Sequence, residues 1–306
     1  MVNGLYRTTL KSGSLVSGHY RYSDVFQILE SQKTSSFKDG KFVDIEYNQA
    51  YGSARPALPL DISDDEAFYQ RRLQELAHLD LLKELIALLS IATNQYYDID
   101  YDNKTNIRPS EQLAIDKFTD TSSSLDIRKD PNRVIQRQNY TLSFLSIHPD
   151  ADKFFENYFK LSAKARLRYN ASIFIYQSMR KILLTSASMA IVGLISAIEN
   201  LMDFEVERTR TKIQRCKNCN QPIYTLTKRF KEFMSEFSEF NVDDTDNLLR
   251  KFYSRRSEIS HAGKILEIDR LLSTFSMKEH REFTEIETHV RIALFNYLLK
   301  YDFDGE

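Results

Sequence analysis

From Asp150 almost to the end of the chain, apolar side chains return at three- and four-residue intervals. Phe154, Phe155, Tyr158, Phe159 and Leu161 lead into residues 163–184, where Leu167, Tyr169, Ile173, Ile175, Tyr176, Met179, Ile182 and Leu183 are apolar. Thr185 and Ser186 separate this run from residues 187–204, and Pro222 opens another through Phe230, Phe233 and Phe237. Asp243 or Asp244 caps the next, with Leu248, Leu249 and Phe252, and Ser276 caps the last, through Val290, Ile292, Leu294, Tyr297 and Leu298. A helix with one apolar stripe cannot stand alone in water, so successive helices must bury their stripes against one another. The pattern predicts an antiparallel bundle of about four or five helices over residues 151–306.

The first half reads differently. Turn chemistry crowds the opening sixty or so residues: Ser12-Gly13, Asp39-Gly40 and Gly52-Ser53. Between these sit short aromatic or β-branched pieces, and residues 41–47 alternate with period two, so a small β element with a hairpin turn at Asp39-Gly40 is expected. Ser63 or Asp64 then caps a long amphipathic helix, with Leu73, Leu76, Leu79, Leu82, Leu85, Ile86 and Leu89 running towards Thr93. Residues 111–118 read as a short helix after Pro109, and residues 119–133 have linker composition. The chain is thus expected to be mainly α, with a mixed N-terminal region (residues 1–150) ahead of the bundle.

The length of 306 residues admits one large domain or two ordinary ones. Residues 187–201, the most apolar stretch, are broken by Ser188, Gly193, Ser196 and Glu199 and read as a buried helix, so no membrane association is expected. The opening residues lack the apolar core of a signal peptide, and only two cysteines are present, which fits a reducing compartment; a cytoplasmic protein is expected. Net charge is −1, yet basic residues gather locally. Arg208, Arg210, Lys212, Arg215, Lys217, Lys228, Arg229 and Lys231 outnumber the acids around them, as do Arg250, Lys251, Arg255, Arg256 and Lys264. Such ground suits an approaching polyanion, although a solvated charged face has the same composition. Phosphate-loop, dinucleotide and Gly-x-Ser-x-Gly fingerprints are absent.

Within the second basic cluster the chain reads Arg255-Arg256-Ser257-Glu258-Ile259-Ser260-His261-Ala262-Gly263. On a helix, Ser257 and His261 share a face. Arg256 lies one step round, at a rise of roughly 7.5 Å from His261, a gap that its long side chain closes. Histidine moves protons near neutrality, and the guanidinium fork grips phosphate oxygens. Together they suit attack on a phosphodiester. The same spacing also occurs on ordinary helix surfaces, where His261 would pair with an acid such as Glu258.

This segment resembles the signature of HEPN domains, whose ribonuclease members carry an arginine, a polar residue, three further residues and a histidine. The surrounding order of an apolar helix, a Cys-x-x-Cys, an amphipathic helix, the Arg/His helix and a closing helix resembles the Apea-like branch, over roughly residues 160–301. The resemblance implies a metal-independent endoribonuclease with His261 as general base and Arg256 stabilising the phosphate, leaving 2′,3′-cyclic phosphate and 5′-hydroxyl ends. Ser257 would touch phosphate or orient the histidine, and Glu199 and Asn200, at the end of the apolar helix, would support the pair. Arg255, Arg250, Lys251 and Lys264 are the expected RNA-binding residues. The resemblance further implies a homodimer with a composite cleft, RNA as partner, and a role as a microbial defence or stress effector. Such an enzyme needs restraint, and residues 1–150 are the place for a sensor, a dimerisation part or a contact to a regulatory partner protein. The other reading is a non-catalytic HEPN-like helical module that binds RNA, a nucleotide or a protein.

Cys216 and Cys219 form half of a zinc site, two thiolates spaced to bite one tetrahedral ion. Zn2+ would bind there only with ligands from another chain; a decayed remnant of a zinc element has the same appearance. Tyr96, Tyr97 and Tyr101 cluster where they would stack bases or, as the simpler reading, pack in a core.

Overall fold

The computed structural model describes residues 4–33, 41–52, 77–101, 109, 111–136, 144–183, 185–209, 226–238, 245–270 and 277–303. The hairpin turn expected at Asp39-Gly40, the helix start at Ser63 or Asp64 and the Cys216/Cys219 pair lie outside these residues. The chain divides into two compact units, Met1–Pro131 with Tyr140–Asp152, and Asn132–Asn139 with Lys153–Glu306. The short stretch Asn132–Asn139 belongs with the second unit although the chain on both sides belongs to the first. Nothing in its polar, Pro-flanked sequence signals that exchange.

The first unit is built on an antiparallel sheet of strands β1 (Leu5–Ser12), β2 (His19–Tyr22), β3 (Phe26–Glu30), β4 (Lys41–Asn48), β5 (Tyr97–Ile99) and β6 (Gln112–Ile115). The order is β2-β3-β4-β1, and β5 and β6 share the far edge of β1 end to end. β1 and β4 pair along their whole length, from Leu5 opposite Asn48 to Ser12 opposite Lys41. Alternation splits the strands between two faces. One face carries Leu10, Ile28, Val43, Ile45 and Tyr47, all buried. The other carries Arg7, Thr9, Gln27, Asp44 and Glu46, where Glu46 accepts from Gln27 Nε2 at 2.6 Å and from the Thr119 amide at 2.8 Å. Helix α1 (His78–Ala92) is buried nearly all round, and its His78 stacks on Tyr6 at 4.1 Å. β7 (Arg128–Lys129) and β8 (Ser146–Ile147) form a separate parallel pair.

Two local expectations change. Residues 112–115 are a strand, not a helix, because the open edge of β1 offers backbone partners that outweigh a weak local preference. Tyr97, within the tyrosine-rich stretch, lies on β5 at 1% exposure with its hydroxyl 3.0 Å from Thr93 Oγ1, so it packs in the core. The expected small β element is in fact a six-stranded sheet.

The second unit is helical: α2 (Ala151–Lys160), α3 (Ala163–Ile182), α4 (Ala187–Arg208), α5 (Leu226–Phe237), α6 (Thr245–Ala262), α7 (Glu267–Arg270) and α8 (Met277–Leu299). Ser162 and Ser186 cap α3 and α4 by accepting from the amides of Ala165 and Met189. α4 is the central helix and packs against α3, α5, α6, α7 and α8. Its Ile191, Leu194, Ile195, Ile198 and Leu201 have no exposed surface. Each such side chain contributes about 1.5–3 kcal/mol by burial. α4 is the one described helix long and apolar enough to cross a membrane, but most of it is buried against these neighbours. α3 and α4 run antiparallel: Ser172 donates to Ala197 O, Arg168 pairs with Glu207, and Met179 lies over Gly193. A side chain at Gly193 would collide with the Met179 thioether, so the glycine leaves the room that Met179 fills between the two helices.

The N-terminus of α4 is closed from outside its own helix. Asp269 of α7 accepts from the Ala187 amide at 2.7 Å, the Ser188 amide at 2.9 Å and Ser186 Oγ at 3.1 Å. Burial pushes this carboxyl up, but the bonds from Ser188, Ala187 and Ser186 outweigh it and hold Asp269 below the ordinary aspartate range. Deeper in the unit, Arg291 of α8 is fully buried. Its Nη1 meets both oxygens of Glu287 at 2.6 and 2.7 Å, and its Nε and Nη2 donate to the carbonyls of Val134 and Gln136. This clamp ties residues 134–136 to the helices.

Candidate active site

α6 carries the Arg/His segment, and its orientation is set by ion pairs on its inner side. Phe252 and Leu249 are buried at 1% and 0% exposure, anchoring the helix in the core. Arg255 donates through Nε and Nη2 to the two oxygens of Glu282 on α8, at 3.1 and 3.2 Å. The Glu282 side chain is only 1% exposed, and Lys251 Nζ stands 3.6 Å from it. Burial opposes the charge on Arg255, but its hydrogen bonds to Glu282 win and raise its pKa above the ordinary arginine value. With Arg255 turned towards α8, the next residue is carried round to the adjacent face, towards α4.

There Arg256 and His261 meet. Arg256 Nη1 lies 3.3 Å from His261 Nε2, and Arg256 Nη2 donates to Glu199 Oε2 on α4 at 3.2 Å. Tyr253 Oη donates to the other oxygen of Glu199, Oε1, at 3.0 Å. Its ring lies 5.4 Å from Phe230 of α5 and 5.9 Å from the Arg256 guanidinium. Burial, together with the charge and hydrogen bond of Glu199, pushes the Tyr253 phenol up to about 12, so it stays a donor at neutral pH. Arg256 Nε is buried without a hydrogen-bond partner among the described residues.

The imidazole of His261 is exposed on the last turn of α6. Gly263 ends that helix with φ +63, and the Lys264 amide turns back to the Glu258 carbonyl at 3.2 Å. No side chain crowds Gly263, so the glycine is needed for its left-handed backbone alone. The stop leaves His261 at the helix end, open to a large substrate.

The other sequence-derived residues distribute as follows. Glu199 joins the pair, and Ser257 sits half-buried beside it on α6. Asn200 faces α3 instead, donating to Arg168 O at 2.8 Å and Ser172 Oγ at 2.7 Å, so it ties two helices together rather than supporting the pair. Arg255, expected on RNA, is engaged with Glu282, and Lys251 stands beside the same carboxylate. Arg250 is exposed on α6, and Lys264 lies 3.8 Å from Glu258. Tyr253 and Glu282 were not singled out from sequence. Tyr253 has a readable signal, standing one helical turn before Arg256, whereas Glu282 has none, since its partner is fixed only by the packing of α6 on α8.

A cleft of about 420 Å³ also opens in the first unit, lined by Arg7, His19, Thr119 and Ser124 among others. Its Arg7 is committed to Asp44 and Glu46. The α6 site is the better chemical candidate of the two, because it sets an exposed imidazole against an arginine whose Nε makes no hydrogen bond among the described residues. Compared with family models, curated proteins and solved structures, the chain matches none.

Proposed function

We propose that the protein is a metal-independent endoribonuclease of the HEPN type, with Arg256 and His261 as its catalytic pair. The observation that carries this is the 3.3 Å approach of Arg256 Nη1 to His261 Nε2 at an exposed helix end. His261 takes the proton of a ribose 2′-hydroxyl, and the 2′-oxygen attacks the adjacent phosphorus. The bond from phosphorus to the 5′-oxygen breaks, and that oxygen takes up a proton as it leaves. Arg256 offsets the charge gathering on the phosphoryl oxygens. The products are a 2′,3′-cyclic phosphate and a 5′-hydroxyl.

The likeness of residues 160–301 to the HEPN pattern extends the proposal to a HEPN-type bundle, a cytoplasmic homodimer and a defence or stress effector restrained through the N-terminal region. One observation favours the alternative of a non-catalytic binding module: Glu199 already occupies one arm of Arg256, as in a purely structural ion pair.

An RNA and the DNA of the same sequence, incubated with the protein in EDTA, separate these readings. Cleavage of the RNA alone, with cyclic phosphate ends, supports the nuclease. Binding of the RNA without cleavage, or equal cutting of the DNA, overturns it.

A further inference from the structure

We propose that Tyr253 is a positioning residue for the Arg256–His261 pair, acting through Glu199; this rests on the ribonuclease reading. Three hydrogen bonds stand in series: Tyr253 Oη to Glu199 Oε1, Arg256 Nη2 to Glu199 Oε2, and Arg256 Nη1 to His261 Nε2, at 3.0, 3.2 and 3.3 Å. Each group uses a different atom for each bond, so the three do not compete. Tyr253 and Arg256 share one face of α6, Glu199 comes from α4, and Phe230 of α5 holds the tyrosine ring. Three helices therefore converge to fix one hydroxyl.

The hydroxyl has a specific task. Arg256 Nε is buried and makes no hydrogen bond among the described residues, so a carboxylate with both oxygens free would chelate the guanidinium through Nε and Nη2. Tyr253 occupies Glu199 Oε1 and limits the carboxylate to one bond with Arg256. That leaves Nη1 pointing at His261 and keeps the guanidinium within reach of a phosphate. Without the hydroxyl, the fork rotates into Glu199 and away from the imidazole.

The chain of bonds also sets the state of the base. Arginine can only donate, so Nε2 of His261 must accept and the ring proton sits on Nδ1. In that tautomer Nε2 is the one nitrogen with a lone pair, and it is masked by Arg256 Nη1. A phosphate that draws Nη1 onto itself uncovers Nε2 at the moment a 2′-hydroxyl is beside it. Substrate binding thus switches the base on.

The test uses the full chain with 15N-labelled histidine. NMR of the ring nitrogens should show neutral His261 as the Nδ1–H tautomer. Tyr253→Phe, which keeps the ring and its packing, should shift the population to Nε2–H. In the cleavage assay the same variant should lower kcat by about tenfold, the worth of one lost hydrogen bond to a charged group, with KM for RNA little changed. A wild-type His261 already in the Nε2–H form overturns the inference, as does a Tyr253→Phe variant whose tautomer and kcat both match wild type. If the tautomer shifts as expected while wild type cuts no RNA, the positioning chain stands and the ribonuclease reading fails. If wild type cuts RNA and Tyr253→Phe is indistinguishable from it, the reverse holds.

Discussion

Removing the two partners of the Arg255–Glu282 pair should have unequal consequences. The side chain of Glu282 is 1% exposed and that of Arg255 is 28% exposed. Arg255→Met leaves a buried carboxylate whose one remaining cation among the described residues is Lys251, with Nζ 3.6 Å away. Stranding a buried charge costs about 3–5 kcal/mol, and the nearby lysine puts the expected loss near the lower end, about 3 kcal/mol. Glu282→Met leaves a guanidinium that can rehydrate and that has Glu258 at 3.5 Å, so about 1–1.5 kcal/mol is expected. The double variant replaces a buried ion pair with packed apolar groups, which is near neutral, and about 1 kcal/mol is a generous allowance. The coupling energy is then about 3 kcal/mol, because the two single losses overlap almost entirely. Urea unfolding of the three variants, read at constant m-value, measures each term. Equal losses for the two single variants, or a double variant that loses their sum, would refute the claim that this pair fixes the rotation of α6.

Gly263→Ala should cost about 1–2 kcal/mol in urea unfolding through its left-handed backbone alone, since a Cβ there meets nothing within 4 Å. Asp269→Asn should destabilise the protein by about 1 kcal/mol at neutral pH by weakening the cap on α4. Because the folded Asp269 pKa lies below its unfolded value, that contribution is present above the unfolded pKa and is lost as pH falls through the folded one. The stability gap between wild type and Asp269→Asn, followed by thermal melts from neutral to acid pH, should therefore close on the acid side. Arg291→Met should cost about 3 kcal/mol in urea unfolding, since Glu287 keeps only the more distant Arg180 at 3.8 Å and the Tyr176 hydroxyl, and adding Glu287→Met should not restore wild-type stability because it leaves the buried Arg180 without its carboxylate.

The helical half was legible because its signal is local. Stripes such as Ile191, Leu194, Ile198 and Leu201 carry the period of a helix on their face, and Ser186 marks the start of α4 in the sequence itself. The sheet was only half legible. Residues 41–47 alternate plainly, but β5 and β6 are short and gain their partners from β1, many residues away. The site divides along the same line. Arg256 and His261 are one helical turn and a fraction apart, so their meeting follows from spacing. Glu199 was placed near them by likeness to other domains, and its bond to Arg256 depends on how α4 packs on α6. Asn200 shows the limit: one residue further along α4 turns its side chain to α3. Arg255 and Arg256 are adjacent and chemically identical, and what separates them is their partners: Glu282 for Arg255, Glu199 and His261 for Arg256.

The most direct measurement is cleavage of a mixed cellular RNA pool in EDTA by wild type and by His261→Ala, with the fragment ends identified and both proteins shown to melt alike. His261 is exposed and packs in no core, so its loss should leave the fold intact. The expected result is cutting by wild type alone, leaving 2′,3′-cyclic phosphate and 5′-hydroxyl ends. Equal cutting by the two proteins, or wild-type fragments bearing 5′-phosphates, would contradict the assignment of His261 as the base.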